Sequence, residues 1–109
     1  MVSMIVTLAL GILLCVIGGI NMTGNISSLH YYHRKRVREE DKKIFGKIVG
    51  IGTIIIGLAI AAFGILYHIY ERTGIRACVN AGTAVIIGGC IVGLFLNFFA
   101  MIKYNKGIF

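Results

Sequence analysis

Proline and tryptophan are absent from this chain, and its acidic residues number only four: Glu39, Glu40, Asp41 and Glu71. Without proline, the apolar runs carry no built-in helix break. Without tryptophan, anchoring at a membrane interface falls to Tyr, Phe, Lys and Arg. No acid lies inside an apolar run. Proton- and cation-coupled transporters keep acids or histidines at membrane depth, so the pattern argues against that class. Cysteine is scarce too. Cys15, Cys78 and Cys90 form no short-spaced pair. An odd number without C-x-x-C disfavours a disulfide framework and a zinc site, and leaves small apolar packing residues as the simpler reading.

What is present is apolar surface. The chain has 109 residues, 58% of them hydrophobic and 14% charged, with a mean hydropathy of +0.91. That length fits one domain. A soluble domain so short cannot bury that much apolar surface, whereas a bilayer removes the need to bury it.

Three runs are long enough to cross a bilayer, which takes roughly 20 apolar residues. Residues 1–29 carry no charge, and their run predicts a first span over residues 2–21. It has no early Lys or Arg and exceeds the roughly 7–15 apolar residues of a signal peptide, so a retained helix is expected. The second predicted span covers 48–70 and ends in the interfacial cluster Tyr67, His68, Ile69, Tyr70. The third covers 77–102, with Phe98, Phe99 and Tyr104 marking its far end. The link 71–76 contains Gly74 and suits only a tight hairpin turn. The fold class expected is an all-α membrane protein, three transmembrane helices with a basic juxtamembrane helix between the first two.

Charge sets the expected orientation. Of the eleven Lys and Arg, nine fall in the first loop and the tail, and two, Arg72 and Arg76, in the second loop. The positive-inside rule predicts the N-terminus outside and the first loop and C-terminus cytoplasmic. The triplets Asn21-Met22-Thr23 and Asn25-Ile26-Ser27 match a glycosylation pattern. This topology puts them on the cytoplasmic side, so they read as chance matches. A helix end at Gly24 and a cap for the next helix explain them better.

The fifteen glycines fall into stripes. Gly46, Gly50, Thr53, Gly57, Ala61 and Gly64 share one face of the second helix. Gly82, Gly89, Gly93, Asn97 and Ala100 share one face of the third. Thr7, Gly11, Cys15 and Gly18 repeat the pattern in the first. Small residues let helices approach closely in bilayers. Gly46, Gly50, Gly57, Gly64, Gly89 and Gly93 are the candidate packing residues. Packing within the chain and pairing with another copy or another protein both fit. Thr7, Cys15, Thr53, Thr83, Cys90 and Asn97 are read as hydrogen-bonding between helices.

Residues 25–47 form the basic segment, read as a helix from Ser27 to Phe45 with Ser27 or Ser28 as cap. Glu39 precedes Lys43 by four, a favourable helical pair. Arg34, Lys35, Arg36, Arg38, Lys42 and Lys43 are the candidate docking residues for anionic headgroups or an acidic partner, the alternative being a mere topological anchor. The net charge is +7, but its place beside an apolar run favours anionic lipid over nucleic acid, and no nucleic acid is expected. His30 and His33 stand three apart with no third ligand in sight, so no metal site is expected. No nucleophile–base pair, phosphate loop, cofactor motif or potassium filter occurs. No catalytic residues and no cofactor are assigned.

The layout over residues 24–57 is a polar G-N-x-S-x-L-H turn, then Arg/Lys, Glu-Glu-Asp-Lys, Phe45-Gly46-Lys47 and a Gly-rich span. It resembles small bacterial membrane proteins of about 100 residues whose function is not known. The resemblance implies a bacterial cytoplasmic membrane and carries over no functional residue. Three function classes then compete. The first is a non-enzymatic accessory or regulatory protein that associates with itself or a larger membrane complex. The others are a holin-like pore former and a transporter or channel formed by oligomerisation. Holins gather charge at the C-terminus, where this chain has only Lys103 and Lys106.

The charge split makes a direct prediction. In intact cells, a cysteine placed at Lys42 should resist an impermeant thiol reagent, while Cys78 should be reachable from outside or shallowly buried. Labelling at position 42 would invert the orientation.

Overall fold

A computed structural model describes residues 2–26, 35 and 37–107. Three long helices follow one another: α1 (Val2–Met22), α2 (Lys42–Thr73) and α3 (Arg76–Tyr104). A single 3-10 turn (Glu39–Asp41) precedes α2, and no strand occurs among the described residues. All three helices are long and apolar enough to cross a membrane, so the chain is all-α and of multi-pass membrane type.

The bundle is inside-out relative to a soluble domain. Val2, Ile12, Ile91 and Phe95 are all more than 60% exposed. Such surface is stable only against an apolar solvent. About a third of the α2 span is buried, against 11% for α1 and 17% for α3. The middle helix therefore carries both neighbours, and α1 and α3 pack on α2 rather than on each other.

Helix geometry explains how one helix serves two. Gly50, Gly57 and Gly64 recur every seven residues, close to two turns, and so line one face. They lie against Gly18 and Met22, Gly11 and Leu14, and Thr7 of α1 respectively. Gly52 and Ala59 repeat the same interval two positions on, a rotation of about 200°. They lie against Gly93 and Gly89 of α3. Contact is reciprocal at three glycine pairs. A methyl on Gly57 would stand 2.7 Å from the Gly11 carbonyl oxygen, and one on Gly11 would stand 2.6 Å from the Gly57 oxygen. Gly52 and Gly93 match at 2.7 and 2.6 Å, and Gly18 and Gly50 face each other in the same way. No side chain fits between these backbones.

The ends are set locally. Gly24 (φ 98°) closes α1, its N–H donating to the Asn21 carbonyl at 3.0 Å. Gly74 (φ 71°) ends α2 with its N–H on the Tyr70 carbonyl at 2.7 Å. A left-handed residue at a helix C-terminus favours glycine. Only Gly74 and Ile75 separate α2 from α3, a tighter turn than 71–76 because α2 continues through Thr73.

Two sequence expectations are corrected. Asn97 Nδ2 donates to Gly93 of its own helix at 2.9 Å, and the Thr7, Thr53 and Thr83 hydroxyls bond carbonyls one turn back. Cys15 Sγ does reach across, 4.0 Å from the Ile54 carbonyl oxygen. In an apolar medium the nearest carbonyl satisfies a hydroxyl without requiring a neighbour helix. The second correction concerns the basic segment. Arg38 is extended (φ −69°, ψ 148°), Glu39–Asp41 is a 3-10 turn and the α-helix starts at Lys42. The expected helix from Ser27 is thus interrupted before α2, and residues 27–34 and 36 lie outside the described residues.

Gly57→Leu should destabilise the bundle by about 1–3 kcal/mol through overpacking. Gly88→Ala, with open space at the same atom, should be neutral or stabilising by up to roughly 1 kcal/mol. Leu58→Ala on the exposed face should be mild. Aggregation temperatures in detergent measure all three. A Gly57→Leu protein as stable as Leu58→Ala would refute the close approach.

Candidate basic membrane-interface site

One end of the bundle is built differently from the rest. The end of α1, the start of α2 and the end of α3 meet there around Ile26, Val37, Phe45, Val49, Ala100 and Met101, all buried. Phe45 is fully buried, and its ring meets Tyr104 edge-on at 6.4 Å. At about 1.5 Å per residue, α2 is roughly 48 Å long, well beyond a hydrocarbon core of about 30 Å. Its first turns therefore stand beyond the lipid tails when residues 48–70 span the membrane. Water returns there, and with it the drive to bury apolar side chains.

Val37 is buried in this core and pins the chain there just before the 3-10 turn. Lys35 and Arg38 are exposed. Arg38 pairs with Glu40 at 2.5 Å, and Lys42 with Glu39 at 2.7 Å. The Glu39–Lys43 pair expected from helical spacing is replaced by Glu39–Lys42. In a 3-10 turn, residues three apart eclipse, and Glu39 stands in such a turn. Both pairs are exposed, and surface pairs contribute only about 0–1 kcal/mol. Lys43 is exposed beside Gly24, with 3.6 Å from the glycine's Cβ position to the Lys43 Cα.

Of the candidate docking residues, Lys35, Arg38, Lys42 and Lys43 thus share this end, while Arg34 and Arg36, with His30 and His33, lie outside the described residues. The candidate packing residues are elsewhere. Gly46 lies against Asn21 and Ile26, Gly50, Gly57 and Gly64 against α1, and Gly89 and Gly93 against α2. Asn21, read in the sequence only as part of a triplet, is buried where its carbonyl meets Gly46.

Two lysines outside the candidate docking set also lie at this end. Lys47 is exposed one turn into α2. Lys103 lies over the Phe99 ring at 5.7 Å and the Tyr104 ring at 5.4 Å. The aromatic four residues before Lys103 was the signal, since such residues are helix neighbours. Just beyond, Asn105 is fully buried and its Nδ2 donates to the Gly107 carbonyl at 2.9 Å, tying the chain back after α3. Among the described residues no three His, Cys, Asp or Glu gather as a metal site would require.

The arrangement is a cationic collar around a buried aromatic plug, at the foot of three apolar helices. Chemically it offers ammonium and guanidinium donors to anions at a membrane surface. Comparison with protein-family models, curated proteins and solved structures finds no match.

Replacing Arg34, Lys35, Arg36 and Arg38 by neutral residues should weaken binding to vesicles containing phosphatidylglycerol. Each cation contributes about 1 kcal/mol near an anionic leaflet, less for Arg38, which Glu40 already holds. High salt should mimic the variant, since exposed charges are screened within about 10 Å at 0.1 M. Unchanged binding would reduce the segment to a linker.

Proposed function

We propose that this chain is a non-enzymatic accessory or regulatory subunit of a cytoplasmic membrane, with its N-terminus outside and the basic end in the cytoplasm. The observation that carries the reading is where the interior is spent. The small-residue faces are closed backbone to backbone within the chain, and the buried amide of Asn97 bonds its own helix. Chemistry or conduction needs converging polar groups, whereas the Thr7, Thr53, Thr83 and Asn97 side chains of the spans bond carbonyls of their own helices. What remains for contact is the lipid-facing surface and the cationic collar. A protein with that distribution acts by being held against lipid and against other membrane proteins.

The test is twofold. The tagged chain, extracted in mild detergent, should run with a stoichiometric larger membrane protein or as a defined oligomer. Reconstituted alone into phosphatidylcholine–phosphatidylglycerol vesicles, it should release no entrapped dye. Dye release by the isolated chain would overturn the proposal in favour of a pore former.

A further inference from the structure

The flank between α2 and α3 holds an open apolar groove of about 340 Å³, lined by Ile55, Leu58, Ala59, Ala62, Val85 and Gly89. Ala59 forms its floor and is buried, while Leu58 and Val85 on its walls are exposed. Ala59 and Gly89 meet so closely that a methyl on Gly89 would collide with the Ala59 Cβ, and the groove runs along the outer side of that contact.

Each wall continues along its helix to a lysine. On α2, Lys47, Ile51, Ile55, Leu58 and Ala62 follow at intervals of 4, 4, 3 and 4, a single helical stripe. On α3, Val85, Gly89, Val92, Leu96, Phe99 and Lys103 follow at 4, 3, 4, 3 and 4. The Lys103 ammonium lies over both the Tyr104 ring at 5.4 Å and the Phe99 ring at 5.7 Å, the second of these on its own stripe. The helices are antiparallel, and the Phe45–Tyr104 contact puts both lysines at the same end. Neither stripe contains an acid. Both lysines are exposed, and Lys47 makes no ion pair among the described residues.

We propose that this flank is a binding site for one diacyl phospholipid of net negative charge, its phosphate held by Lys47 and Lys103 and an acyl chain laid in the groove. The dimensions agree. Leu58 lies about 16 Å along the helix from Lys47 at about 1.5 Å per residue, and one hydrocarbon leaflet is about 15 Å deep. The groove stands where a chain hung from that headgroup ends. Charge selects the lipid class. Two exposed cations on stripes that contain no acid complement a phosphate and offer nothing to the amine of a zwitterionic headgroup. The site rests on the three helices being membrane spans, and is independent of the accessory role and of the 34–38 block.

Native mass spectrometry of the full chain, from micelles with equal phosphatidylglycerol and phosphatidylcholine, tests it. One phosphatidylglycerol should be retained in preference. Lys47→Gln with Lys103→Gln should lower that retention about tenfold or more, while Lys47→Arg with Lys103→Arg keeps it. Ala62→Phe, which fills the groove, should lower retention with helix content unchanged. Equal retention of the two lipids would overturn the proposal. So would wild-type retention in the double Gln variant, or loss of the lipid only when Arg34, Lys35, Arg36 and Arg38 are neutralised, which would assign it to the basic segment.

Discussion

Everything in this bundle depends on the direct approach of helix backbones at Gly11 and Gly57, Gly18 and Gly50, and Gly52 and Gly93. Lipid tails are as apolar as leucine, so helices in a bilayer gain little by hiding hydrophobic side chains from their surroundings. They gain by close contact. Where a glycine meets a carbonyl oxygen, the hydrogen in place of the side chain points at that oxygen. Such Cα–H···O contacts contribute about 0.5–1 kcal/mol each, and the neighbouring side chains interlock around them. Because the two small-residue sets of α2, Gly50, Gly57 and Gly64 against Gly52 and Ala59, are offset by two residues, the contacts fall on nearly opposite sides of it. That offset makes α2 the central helix.

The molecule is also shaped by two solvents. Along the spans, large apolar side chains point outward and small groups inward. At the basic end the rule reverses, and Phe45, Val49, Ala100 and Met101 form a conventional core. The charges gather at this transition. The collar and the plug belong together: the plug fixes the ends of α2 and α3, and the collar marks the level at which the lipid tails give way to water.

The threonine and Asn97 side chains in the spans serve the helices that carry them. The threonine hydroxyls and the Asn97 amide bond carbonyls of the preceding turn, which leaves them little capacity for a ligand. With the interior occupied by backbone contact, the surfaces able to distinguish one partner from another are the outer flanks. Among these the α2–α3 flank stands out, because its apolar groove lies in line with two cations.

Much of this was legible in composition and spacing. Uncharged runs of about 20 residues define spans because a helix rises about 1.5 Å per residue across a core of about 30 Å, and Gly74 marks the turn because only a left-handed residue closes a helix so sharply. Local energetics suffices for those features. Spacing also put small residues on common faces, but not which neighbour each face meets, since a stripe fits any partner that approaches closely. The second contact face of α2, through Gly52 and Ala59, the buried Asn21, and Val37 drawn into the plug all depend on residues distant in sequence. So does the alignment of Lys47 with Lys103, which are far apart in the chain and become neighbours in purpose only when α2 and α3 lie antiparallel. The sequence by itself determined that the chain is helical and membrane-spanning, because solvent and helix rise act on each segment alone. The tertiary structure decided which helix is central and where a groove opens, because those follow from the relative rotation of helices, which only their mutual packing determines.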